Sequence, residues 1–177
     1  MRGMNLHMVD DPDFQTVKDS LVFNDIYIKS TNASCADDWD PKRSDIDEVR
    51  FRFMHQVKTS EVITVDENGD SKQYFRVELL VGCRFVTSDN TGKEEDQIKA
   101  QIEATFCAEY MMTKEDVNPD GLKVFALENV SYHVWPYWRE YLANMCSRLN
   151  LPKVPLPTRQ IKIKKSKSEV DAKQTPE

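Results

Sequence analysis

Residues able to do acid–base, nucleophilic or metal chemistry are few and scattered in this chain. The three histidines, His7, His55 and His133, stand far apart, and the four cysteines, Cys35, Cys83, Cys107 and Cys146, form no CxxC pair. Such spacing marks neither a zinc cluster nor a compact disulfide framework, so free and mostly buried thiols are expected. The acidic runs Asp37-Asp38-Trp39-Asp40 and Glu94-Glu95-Asp96 would suit a hard cation only if several oxygens converged, and both read as solvated loops. Asp66-Glu-Asn-Gly-Asp70 lacks the ligand spacing and closing glutamate of a calcium loop and reads as a hairpin turn. No P-loop, GxGxxG, GxSxG or HExxH sequence occurs. The expectation is a binding protein, not an enzyme, without metal or cofactor.

The elements that would carry a binding surface emerge from length and pattern. With 177 residues and 40% hydrophobic content, the chain suits one domain with loose ends. No apolar run approaches the roughly 20 residues of a membrane span. Met1 to Pro12 place acids where a secretory signal is apolar, which predicts a cytoplasmic protein. The net charge of -6 is uneven, because residues 159–177 hold six Lys or Arg against three acids. That tail, with Arg159, Lys162, Lys164, Lys165 and Lys167, has no interleaved aromatic for base stacking and reads as a solubilising or tethering segment, so nucleic acid is not the expected partner.

Asp11-Pro12-Asp13 followed by Phe14, Val17 and Leu21 predicts a short helix over 11–21. A strand follows over 21–29, with Phe23 and Tyr27 on one face and Asn24, Ile26 and Ile28 on the other, and then a long loop over 30–44. Val49, Phe51, Phe53 and Val57 alternate with charged residues in a second strand, whose apolar face also carries His55. Phe75 to Phe85 alternate in a third strand, and Ile98 to Ala108 in a fourth, with turns at Asn68-Gly69 and Asp89-Asn-Thr-Gly92. Short turns between strands require antiparallel pairing. The expected fold class is α+β: a four-stranded antiparallel meander with one long C-terminal helix packed on its apolar face. The connection from Thr113 to Val130 contains Asn118-Pro-Asp-Gly121, and Pro136 then suits the first turn of the long helix. Trp135, Trp138, Leu142, Met145 and Leu149, widened by Val134, Tyr137 and Tyr141, form a stripe broader than one small sheet needs, which suggests contact with a second subunit. Leu151-Pro-Lys-Val-Pro-Leu-Pro157 ends the helix.

The segment Tyr132-His-Val-Trp-Pro-Tyr-Trp-Arg-Glu140, followed by Cys146-Ser-Arg-Leu-Asn-Leu-Pro152, resembles the signature of SecB, the bacterial export chaperone family. Ile26-Tyr-Ile-Lys29 and Asp38-Trp39 resemble its first strand and crossover loop, and the likeness covers residues 22–157, between an N-terminal extension (1–21) and a basic tail (158–177). The resemblance implies a cytoplasmic homotetramer, a dimer of dimers, that holds non-native polypeptides in apolar grooves and, in many members, delivers them to the SecA motor. Client-lining candidates are Trp39 in the crossover loop, Val134 and Trp135 at the helix entry, and Leu151, Val154 and Leu156 after the helix. Trp138, Leu142 and Met145 fall to the subunit interface or core. The chain departs from the family in three places. Pro155-Leu-Pro157 stands where a second C-terminal helix is usual, Ser30 replaces an acid often used to dock the motor, and the N-terminal extension is long. The extension is similar to that of SecB-like proteins associated with toxin–antitoxin systems, whose client can be a dedicated antitoxin. A single dedicated partner and a small-ligand-binding α+β domain are the competing readings.

Overall fold

A computed structural model describes residues 12–44, 46, 49–87 and 98–156. Asp11 as the expected helix cap, the turn expected at Asp89–Gly92, Glu94–Asp96, His7 and the tail from Pro157 onward lie outside these residues. Seven elements run in the order α1 (Pro12–Asp19), β1 (Leu21–Cys35), β2 (Val49–Glu67), β3 (Asp70–Thr87), β4 (Ile98–Met112), α2 (Pro119–Glu128) and α3 (Val130–Arg148). The four strands form one antiparallel sheet in the order β1-β4-β3-β2. β2, β3 and β4 make the expected meander, and the long C-terminal helix packs on it. β1 reaches the far side of β4 because the crossover after Cys35 carries the chain across the end of the sheet.

Local chemistry accounts for the boundaries. Asn68 (φ 55) and Gly69 (φ 92) both take positive φ, so the β2–β3 hairpin closes with the two-residue turn that matches strand twist. β1 continues through the polar stretch predicted as a loop, because Ser30 to Cys35 pair with Thr105 to Ala100. Tertiary pairing overrides weak strand propensity there. The register also shifts between Phe23 and Asp25, leaving Asn24 as a bulge. The extra residue reverses the facing of the side chains. Phe23 therefore shares the helix-covered face with Ile26, and Tyr27 turns to the other face, against the simple alternation expected.

The 113–130 connection holds a helix that the sequence reading did not resolve. The Asn118 side chain accepts a hydrogen bond from the Asp120 N–H at 3.0 Å, Pro119 opens α2, and Asp120 sits in its first turn. Gly121 is a packing requirement: a Cβ there would meet Val17 Cγ2 of α1 at 2.6 Å. Phe125 then packs edge-on to Tyr110 with ring centroids 5.1 Å apart.

α3 begins at Val130, six residues before Pro136, so Pro136 lies inside the helix and not in its first turn. Its missing N–H leaves the Tyr132 carbonyl without the usual partner, on a solvent-facing side where water can serve. Val130, Val134, Trp138, Leu142 and Cys146, spaced by four, are buried against the sheet. Asn150, with φ 56, ends the helix, and the Leu151 N–H donates to the Cys146 carbonyl at 2.8 Å. This left-handed cap satisfies the last carbonyls and folds Leu151 back onto the core.

Candidate functional site

The two faces of the sheet differ in chemistry. On the open face, Lys29 bridges to Glu78, Arg76 to Glu109 at 2.7 Å and Arg84 to Glu103 at 3.3 Å. A hydrogen bond with Cys107, reinforced by burial, pushes the Tyr27 hydroxyl up to about 12, so it stays protonated. The opposite face supplies the core: Phe75, Val77, Leu79, Phe85, Ile102 and Phe106 lie beneath the helices.

That apolar face extends beyond its cover. The buried line of α3 runs above β3 and β4, whereas Phe53 of β2, paired with the fully buried Cys83, remains 55% exposed. Phe51 stacks edge-on with Phe85, its centroid 5.3 Å away, and with Val57 it lies half-buried beside Phe53. Trp135, Leu149, Val154 and Leu156 are also half-buried against the core cluster. Trp135 lies about 200° round the axis from His133, which packs with Phe23 of β1, so Trp135 faces the β2 side. The core-face residues of β2 thus form an incompletely covered apolar strip at the edge of the sheet. Sequence reasoning placed Phe51, Phe53 and Val57 on an apolar face but missed their incomplete cover, because edge position depends on strand order.

The candidate residues separate into groups. Trp39 is buried in the crossover, where the Ala36 N–H donates to the Lys99 carbonyl at 2.8 Å and Lys99 pairs with Asp38 at 3.1 Å. Leu151 is buried, with Val154 and Leu156 half-buried, beyond the C-terminal end of α3. Val134 is 1% exposed, and both it and Trp135 lie in the second turn of α3, not at its entry. About 21 Å of helix separates Trp135 from Leu149. Trp138 and Leu142 are each 1% exposed within the single chain, and Met145 is half-buried.

The polar candidates have structural partners. Asp40 accepts from the Lys42 N–H at 2.9 Å and pairs with Arg43, which lowers its carboxyl below the usual range and fixes the loop. Burial raises the thiols of Cys35, Cys107 and Cys146, and pushes Cys83 up to about 12, away from nucleophilic reactivity. All four are free. Among the described residues no group of three or more His, Cys, Asp or Glu is placed to hold a metal ion, and no helix is long and apolar enough to cross a membrane.

No protein-family model and no curated protein sequence matches the chain. Among solved structures, the Mycobacterium tuberculosis Rv1957 SecB-like chaperone, in complex with a ChAD peptide from the Rv1956 HigA1 antitoxin, superposes with a TM-score of 0.64. The match has 18% identity and covers 86% of this chain and 100% of that one. The fold is SecB-like. A protein of unknown function from Streptococcus agalactiae gives a TM-score of 0.35 at 11% identity over 77% of this chain and 96% of its own. Within the SecB-like fold, the described part of this chain continues after α3 as the extended segment 151–156, with no regular element.

Proposed function

We propose that this protein is a chaperone that holds unfolded or aggregation-prone polypeptides on the apolar strip of β2 beside α3, without catalysis or cofactor. The observation that carries this reading is the 55% exposure of Phe53 on the core face of β2, with half-buried Phe51 and Val57 on the same strand face. Contiguous exposed apolar surface of this kind binds extended chains without strict sequence demands. In this reading Trp135, Val154 and Leu156 touch the client, while buried Trp39, Val134 and Leu151 support the client surface from beneath. The likeness to a chaperone solved with an antitoxin peptide supports a polypeptide client over a small ligand. Two surface hollows of about 200 and 160 Å³ are smaller than the ~300 Å³ at which small-molecule sites begin.

The proposal extends to a cytoplasmic homotetramer, assembled through the flank of α3 that includes Met145 and through exposed apolar residues of β1. Delivery to the SecA motor is its export branch. A dedicated antitoxin client is the second reading, favoured by the peptide in the Mycobacterium tuberculosis complex. Light scattering after chromatography, with and without a precursor kept non-native in dilute denaturant, tests these together. A mass near four chains and a co-eluting precursor support the general chaperone. A tetramer that ignores the precursor favours one dedicated client, and a monomer that ignores it overturns the chaperone reading. Phe53→Ser with Trp135→Ala should weaken capture at unchanged mass.

A further inference from the structure

The open face, which carries the ion pairs of Lys29, Arg76 and Arg84, also carries one apolar row. Val22 of β1 pairs with Met111 of β4, Met111 with Tyr74 of β3, and Tyr74 with Ile63 of β2, so the row crosses all four strands in register. None of these four residues belongs to the core cluster of the opposite face. Val22 is 47% exposed, Met111 and Ile63 are half-buried, and Tyr74 is buried between them. At about 4.8 Å from strand to strand the row is about 14 Å long. Next along the open face come Asp25, Glu109, Arg76 and Glu61, three acids and one base. The row lies where β1 begins, since neighbouring Leu21 pairs with Met112, the last residue of β4.

The chain arrives at this end of the sheet through α1. That helix of eight residues is about 12 Å long. Its exit is pinned to the sheet, because the Thr113 N–H donates to the Ser20 carbonyl at 2.9 Å. The three steps from Asp19 to Val22 add at most about 10 Å, so Pro12 stands no more than about 22 Å from Val22. Residues 1–11 precede the described chain, and among them Met4, Leu6 and Met8 alternate with Asn5 and His7, with Arg2 upstream. In an extended chain Met4 and Met8 share one side about 13 Å apart, which matches the length of the row. Fully extended, the stretch from Met4 to Pro12 covers about 26 Å, enough to pass round the sheet end to Val22. We propose that residues 4–8 form a strap that lays Met4, Leu6 and Met8 on Val22, Met111, Tyr74 and Ile63, with Arg2 toward Asp25 and Glu61. Burial of apolar side chains drives the contact, and the opposite charges beside it favour this occupant. The strap closes an apolar surface on one face of the sheet and leaves the β2 strip on the other face as the place for clients. It stands apart from the chaperone reading, which concerns that other face.

Oxidation of the methionines of the full chain by dilute hydrogen peroxide, read by mass spectrometry, tests this with probes already in place. A synthetic peptide of residues 1–11 supplies the uncovered rate for Met4 and Met8. Both should oxidise about fivefold more slowly in the full chain than in the peptide. Leu6→Glu with Met8→Glu should release the strap and speed the oxidation of Met111 by a similar factor. Val22→Glu with Ile63→Glu should return Met4 and Met8 to the rate of the peptide. The extension variant leaves the sheet unaltered, so its result decides the matter even where circular dichroism shows the sheet variant unfolded. Met4 and Met8 oxidising in the parent chain as fast as in the peptide would overturn the strap, as would an unchanged Met111 rate in the extension variant. Protection that is lost on dilution would assign the cover to a second copy and overturn a strap within one chain.

Discussion

The Tyr110 hydroxyl of β4 lies 2.8 Å from Nδ1 of His133 in the first turn of α3, with Phe23 and Phe125 flanking the imidazole at centroid distances of 6.3 Å. This contact ties the start of α3 to the sheet. The surrounding rings desolvate the imidazole, and burial lowers its pKa from the usual 6.5. The neutral form is favoured in the folded state, so the unfolded chain binds the extra proton first. Stability from this site is fully present above pH 6.5 and falls as pH drops through the lowered folded-state pKa. Urea unfolding at pH 7.5 and 5.5 should show that decline, and His133→Gln should reduce it. An unchanged pH dependence in the variant would assign the decline elsewhere.

Gly121 and Val17 set the spacing of α1 and α2. Gly121→Ala would ordinarily favour a helix by up to about 1 kcal/mol. Here its Cβ would lie 2.6 Å from a methyl of Val17, which is 1% exposed and cannot swing into solvent. Overpacking of this kind costs about 1–3 kcal/mol. Chemical denaturation should show Gly121→Ala destabilised, and Val17→Ala added to it should recover part of the loss. Additive losses in the double variant would contradict the contact.

The two tryptophans of the second and third turns of α3 should separate stability from binding. Trp138 is 1% exposed and its truncation should cost about 3–5 kcal/mol. Trp135 is half-buried on the β2 side of α3, and Trp135→Ala should cost less than half as much while weakening capture of a non-native precursor. Thermal unfolding and an aggregation-suppression assay on both variants measure the two effects. Equal stability losses would place Trp135 in the core.

Much of the sheet was legible because β3 and β4 are covered on one face by helices and carry a buried apolar residue at every second position, from Phe75 to Phe85 and from Ala100 to Ala108. A period of two survives wherever one face must be buried. The bulge at Asn24 was not legible, since an inserted residue leaves no mark in a pattern that has hydrophobes on both sides of it. α2 carried its signals in Asn118, Pro119 and Asp120, but Gly121 also fits a turn, and only the neighbouring Val17 explains it as a packing residue. Of the surface proposed for the client, Trp135, Val154 and Leu156 are candidates that the sequence itself offers. The rest, Phe51, Phe53 and Val57, depends on β2 being an edge strand, a property of the whole sheet.

The opposite edge carries its own consequence. On β1, Phe23 is 49% and Ile28 40% exposed, and Tyr137, one turn beyond His133 on the same flank of α3, is 44% exposed. A second copy laid along this edge would cover all three, and a stable association needs about 1,200–2,000 Å² of buried surface in total. Ile28→Glu with Tyr137→Glu places two charges at positions where the isolated chain leaves room for them, so the fold of each chain should be retained with a stability change below about 1 kcal/mol. The same charges would be desolvated in an interface, at a cost of several kcal/mol. Light scattering at micromolar concentration should then show a smaller assembly than the parent protein, with unaltered circular dichroism. A parent mass that the double variant preserves would move the subunit contact away from β1.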